Sequence, residues 1–214
     1  MSLRERHKQD KRERLRAAAW ELFTTEGYAQ TTTRAIATRA GVAAGTVFLY
    51  AKDKADLLFL VFEHRLAEAV DEAFRSLPRG APLVDQLMHV FSRFFHMYAV
   101  SPDTARSFVK ELPWADGLNA QRVNGLTFAF VERLGALVHD ARERREVRED
   151  VLPLLAAHSL FALYYMALMT WLSGFSSLQS ALDDMLRPSF ELLVQGMRPA
   201  EQGRGTREET PEKA

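Results

Sequence analysis

Apolar residues recur at three- and four-residue spacing along most of this 214-residue chain, and no stretch sustains the two-residue alternation of a strand. That period restricts the chain to helices packed on helices, an all-α fold. Glycine and proline mark the boundaries. A first helix is expected from about Arg6 to Glu26, with Ala18, Leu22 and Phe23 in its apolar stripe and Gly27 as its stop. Thr31, Thr32 and Thr33 offer N-cap hydroxyls to a short second helix, Arg34 to Ala40, which Gly41 ends. Gly45-Thr46 opens a third, through Tyr50, and a long fourth runs from about Lys54 to Leu77. Past the break at 78–82, further helices are expected at about 83–99, 102–111, 119–145, 151–174 and 178–197, punctuated by Pro102, Pro113, Pro153 and the stretch 174–177. The expected division is a head of short helices at 1–53, a helical body at 54–198 and a disordered tail at 199–214.

The overall charge is zero, yet it is unevenly spread. Residues 1–54 carry 11 basic and 6 acidic side chains, a net of +5, and the rest carries −5. A basic head on an acidic body is suited to meeting a polyanion, although a solvated basic helix has the same composition. Residues 1–16 alone hold a net +4, from Arg4, Arg6, Lys8, Lys11, Arg12, Arg14 and Arg16 against Glu5, Asp10 and Glu13.

Several classes are disfavoured. With no cysteine, disulfides and thiolate zinc sites are excluded. No P-loop, GxSxG, HExxH or dinucleotide fingerprint occurs, so the chain is not expected to be an enzyme. His89, His96 and His158 lack an identifiable third convergent ligand, so no metal or other cofactor is expected. The charged N-terminus lacks a signal-peptide stretch, and the longest apolar run, Leu160 to Met169, is too short to span a bilayer. A soluble cytoplasmic protein with no membrane partner is the expectation.

The informative stretch is Thr31 to Leu58. Two short helices about a glycine turn form a helix-turn-helix, with Ile36, Ala37 and Ala40 on the inner face and Val42 and Val47 closing the core. The second helix is then free to enter the major groove. Gly27-Tyr28, the threonines, Ile36-Ala37, Ala40-Gly41-Val42, Gly45-Thr46, Tyr50, Lys54 and Leu57-Leu58 together resemble the TetR family of repressors, over residues 8–60. The resemblance implies a repressor that binds palindromic double-stranded operator DNA as a homodimer. It implies that Thr32 caps the second helix and touches phosphate, that Gly45 and Thr46 begin the recognition helix with Thr46 on the DNA backbone, and that Tyr50 and Lys54 also bind phosphate. Ala43 and Ala44 stand where polar groups often begin the recognition helix, so base reading falls to Arg34, Thr46, Tyr50, methyl contacts such as that of Ala44, or DNA shape. The basic N-terminal arm is expected to add affinity through the backbone or minor groove.

Beyond residue 60 the likeness is one of helix number and layout. It implies an inducer pocket for a small hydrophobic ligand, and the body supplies aromatic and methionine side chains for one. Phe95, Phe128 and Tyr165 are the candidate lining residues. The last two long helices are expected to form the dimer seam, through Leu182, Met185, Leu186, Phe190, Leu193 and Val194. A helical interaction module without DNA activity also explains the body, but not the helix-turn-helix residues.

Overall fold

The computed structural model describes residues 2–199, and every regular element among them is helical. The tail expected from residue 199 lies, from 200 onward, outside the described residues. The head contains α1 (Leu3–Thr25), α2 (Thr33–Arg39) and α3 (Ala44–Val47). The body contains α4 (Lys54–Arg75), α5 (Leu83–Ala99), α6 (Pro102–Glu111), a 3-10 turn (Leu112–Trp114), α7 (Leu118–Glu143) and α8 (Pro153–Leu172). It ends in one rod of α9 (Leu178–Ser180), a π-helical segment (Ala181–Leu186) and α10 (Arg187–Gly196).

The first helix begins a turn earlier than the apolar stripe alone indicates. Ser2 caps it, its hydroxyl accepting from the Glu5 amide at 3.2 Å while the Glu5 carboxylate accepts from the Ser2 amide at 2.6 Å. This reciprocal capping box starts the helix inside the basic segment. Residues 3–16 are therefore helical, and their cations are arranged by helical geometry.

The head's core is Leu15, Ala19, Leu22, Phe23, Ile36, Ala37 and Val47, sealed from α4 by Leu57 and Leu58. Gly27 (φ 87°) and Gly41 (φ 64°) make the two turns in the left-handed region, where a β-carbon is unfavourable. Buried Thr31 donates to the Gly27 and Leu22 carbonyls at 2.8 and 3.2 Å, tying α1's end to the turn.

In the body α7 lies against both α4 and α8, and α5 is enclosed. Fully buried Phe91 meets Phe94, Phe130, Tyr164 and Phe190, one aromatic centre joining four helices. The π-helical segment stops just before Pro188, whose missing N–H cannot continue the α-helical ladder.

The stripe on the final rod does not face outward. Leu182, Leu186, Phe190 and Val194 are all buried within the protein's own core. The exposed apolar positions nearby are Leu154, Leu155 and Met166 on α8 and Leu192 on α10. Residues 155, 158, 162 and 166 form one exposed row along α8 at helical spacing. By length and hydropathy α8 is apolar enough to cross a membrane, a test that the core helix of a soluble protein also passes.

Candidate DNA-contact surface and ligand cavity

The helix-turn-helix presents a consistent outer surface. Thr32 caps α2, its hydroxyl accepting from the Ala35 amide at 3.1 Å, and remains exposed. Arg34, Ala44 and Gly45 are exposed, and Thr46 and Tyr50 are half-buried. The helical turn at Ala44–Val47 is shorter than the expected Gly45-to-Tyr50 helix and continues as turns. Its outer face carries two apolar side chains that the sequence reading passed over. Phe48 and Leu49 are 59% and 76% exposed, far above what a core side chain shows. Exposed apolar groups of this kind have the chemistry to meet thymine methyls.

Lys54 is placed differently from a free phosphate ligand. Its ammonium donates to the Tyr28 and Ala29 carbonyls at 2.9 and 3.2 Å and lies 4.6 Å from the Tyr28 ring centre. Lysine has three N–H donors, so one remains for an outside acceptor. Burial, with Glu111 and Asp53 adding to it, pushes the Tyr28 phenol up to about 12.

The N-terminal turns of α1 lie beside this surface. Arg4, His7, Lys8 and Lys11 share a cleft with Leu49 and Tyr50. The basic segment and the recognition turn therefore form one continuous face, and the helix N-terminal to the motif brings them together.

The body holds a cavity of about 280 Å³ between α4, α5, α6, α7 and α8. That is near the small end of ligand cavities, roughly 300–1,000 Å³. Its walls are aromatic and aliphatic: Phe94, Phe108, Phe130, Phe161 and Leu168, with Leu66 and Val70 from α4. Asn124 and Thr127 add polar groups on the α7 side. Tyr98 and Tyr164 are buried together in the wall, and burial raises both phenols well above their ordinary range. Both are therefore neutral, and the wall carries no charge.

Of the three expected lining residues, Tyr165 lines this cavity. Phe95 is fully buried one layer behind, against Tyr164 and Trp171. Phe128 is 69% exposed, on the outer face of α7. Phe130 is the α7 aromatic that reaches the cavity, two residues and about 200° further round the helix. Among the described residues no cluster of His, Asp or Glu could hold a metal ion.

Two connections join cavity and head. Phe108 lines the cavity and stacks on Phe62 of α4 at 4.1 Å, and Phe62 meets Trp20 of α1 edge-on at 6.4 Å. On the same side buried Thr104 of α6 donates to the Phe23 carbonyl of α1 at 3.1 Å. At the start of α7, the Asn119 side chain donates to the Tyr50 carbonyl at 2.8 Å. Lys52 pairs with Asp116 at 2.7 Å beside it.

Comparison with known proteins agrees with this geometry. Residues 15–61 match the family model of bacterial regulatory proteins, tetR family. The fatty acid metabolism regulator protein of Bacillus subtilis (strain 168) is 26% identical over 180 residues, covering 84% of this chain and 92% of that protein. The structure of Thermus thermophilus FadR, a TetR family transcriptional repressor in complex with lauroyl-CoA, superposes with a TM-score of 0.67 at 27% identity. It covers 94% of this chain and 100% of that one. A TetR transcriptional regulator from Rhodococcus sp. RHA1 shares the fold, with a TM-score of 0.69 at 21% identity, covering 87% of this chain and 97% of that one. The head, residues 15–61, is of the tetR family of bacterial regulatory proteins, and the whole chain is similar to regulators of that family.

Proposed function

We propose that this regulator is a cytoplasmic repressor, not an enzyme, that binds a palindromic operator as a homodimer and is released by a long-chain acyl thioester of coenzyme A. The observation that carries this reading is the uncharged, aromatic-walled cavity, joined to the head through Phe108–Phe62–Trp20 and Thr104–Phe23. An apolar chain fits such walls. The fatty acid role of the Bacillus subtilis relative and the lauroyl-CoA in the Thermus thermophilus one support the same ligand class.

The dimer is formed by the exposed row on α8 together with Leu192 of α10. An uncovered apolar face of this kind favours burial against a second copy. DNA contacts come from Thr32, Arg34, Gly45, Thr46 and Tyr50, methyl contacts from Ala44, Phe48 and Leu49, and phosphate contacts from α1's basic turns. The remaining Lys54 donor reaches a phosphate while its other two position the turn.

Selection of bound fragments from a random duplex library tests the DNA half. The expected product is one twofold-symmetric sequence with half-sites about 10 base pairs apart, or a multiple of that. Recovery of no enriched sequence would leave the body as a ligand-binding module without an operator.

A further inference from the structure

Most of the cavity wall is hydrocarbon, yet three phenols line it, Tyr98 of α5 and Tyr164 and Tyr165 of α8. A bare alkyl chain has no use for them. Tyr98 and Tyr164 are each only 4% exposed. Their rings are wedged among other rings. Tyr98 lies 5.9 Å from Phe62 and 6.4 Å from Phe108, and Tyr164 lies 4.6 Å from Phe91 and 5.9 Å from Phe95, centre to centre. Close packing of this kind fixes where each hydroxyl sits.

A buried phenol ordinarily finds a hydrogen-bond partner. Among the described residues, the only polar groups acting on the Tyr98 and Tyr164 hydroxyls are phenols, each on the other, with Tyr165 near both. Two such hydroxyls carry two protons and spend at most one on each other. At least one O–H donor is therefore left without a carbonyl or carboxylate to receive it. The other polar groups of the wall do not supply one. Thr127 spends its hydroxyl on the Val123 carbonyl at 3.0 Å, and Asn124 is exposed.

The donor's depth says which part of a ligand meets it. Exposed Pro113 and Asn124 mark the outer edge of the cavity, whereas buried Tyr98, Tyr164, Phe108 and Leu168 form its inner wall. About 280 Å³ is too little for a coenzyme carrier as well as a chain. The thioester then stays toward the outer edge, and the inner wall meets the chain.

We propose that the ligand's chain carries a neutral oxygen acceptor, a hydroxyl or keto group set away from the thioester, and that the Tyr98 and Tyr164 phenols read it. This rests on the reading of the cavity as an acyl-thioester site and adds to it the chemistry of the chain. An unsubstituted chain sets methylene groups against the unpaired donor and keeps water from it, which costs affinity. An oxygenated chain accepts from it. A carboxylate at the same depth would be buried without a countercharge, because the wall is uncharged.

Calorimetric titration of the full chain with three probes of one chain length tests this: lauroyl-CoA, 7-oxolauroyl-CoA and 12-hydroxylauroyl-CoA. At least one oxygenated probe should bind about tenfold more tightly than lauroyl-CoA, the scale of one neutral hydrogen bond. Tyr98→Phe and Tyr164→Phe keep the rings and remove the hydroxyls. In at least one of them that preference should fall to within twofold, with lauroyl-CoA bound no more weakly than before. The preference is a ratio within one protein, so partial unfolding of a variant cancels from it. Lauroyl-CoA binding as tightly as both oxygenated probes would overturn the proposal and leave the acyl-thioester reading intact. A preference that survives both substitutions would overturn it as well. Failure of all three probes to bind would overturn the two together.

Discussion

The buried carboxylate of Asp56, in the first turn of α4, is held by Asn119 at the start of α7, through its backbone amide at 2.9 Å and its side-chain amide at 3.1 Å. The Ala120 and Lys52 amides donate to the same carboxylate at 3.3 and 3.0 Å. An acid among the free amides that open a 26-residue helix is favourably placed. Because Asn119 also donates to the Tyr50 carbonyl, one residue of the body grips both the recognition segment and the helix that follows it. The joint lies at the end of α7 that precedes its cavity residues.

Gly117 makes this joint possible, since a β-carbon there would collide with the Asp56 carboxylate. Gly117→Ala is predicted to destabilise the protein by about 1–3 kcal/mol, the usual scale of forced overpacking. Gly125, also on α7, has open space around its β-position and lies mid-helix. Gly125→Ala is predicted to stabilise by up to about 1 kcal/mol through helix propensity. Denaturant midpoints of the two variants check the pair, and a like sign for both would contradict the geometry.

The dimer seam is testable by contrasting two leucines. Leu186 is fully buried in the protomer core, whereas Leu192 is 75% exposed. Leu192→Asp is predicted to give a folded monomer with weakened operator affinity, because a charge now sits in the seam. Leu186→Asp is predicted to unfold the protomer. Sedimentation with circular dichroism separates the outcomes; a folded Leu186→Asp monomer would place the seam on the other face.

The neutral Tyr98–Tyr164 pair sets an alkaline limit. Burial raises both phenols in the folded state. Above pH 10 the unfolded chain releases these protons while the folded chain keeps them, so their contribution is present below pH 10 and is lost as pH rises past it. Each contributes about 1.4 kcal/mol per pH unit in that range. Thermal midpoints measured from pH 9 to 11 should fall more steeply in the parent than in Tyr164→Phe. Identical slopes would show that the pair is hydrated.

Much of the head was legible because its information is local. Caps, glycine turns and apolar spacing lie within a few residues of one another, and Thr32 and Gly41 act where the sequence indicates. The capping box at Ser2 and Glu5 was equally local, though the apolar stripe that begins later drew the boundary inward. The body was less legible for two physical reasons. An apolar stripe identifies a buried face without saying what buries it, so Leu186 and Phe190 fit a partner or the protein's own core equally well. Phe128 and Phe130 are chemically alike and differ only in helical phase, which α4 and α8 decide. Asn119 is 63 residues from Asp56, so that pairing had no sequence signal. Lys54 opens α4 as the sequence indicates, but its carbonyl partners at Tyr28 and Ala29 appear only once α1 and α4 are packed.

Release of DNA by ligand is the central claim, and fluorescence anisotropy of a labelled operator duplex measures it directly. With the selected operator bound at fixed salt, lauroyl-CoA is titrated to saturation, as judged by independent calorimetry. The account predicts that operator affinity falls by 5- to 150-fold, the usual range of coupling between two sites, and that operator DNA weakens lauroyl-CoA binding by the same factor. Unchanged operator affinity on a protein saturated with lauroyl-CoA would contradict it.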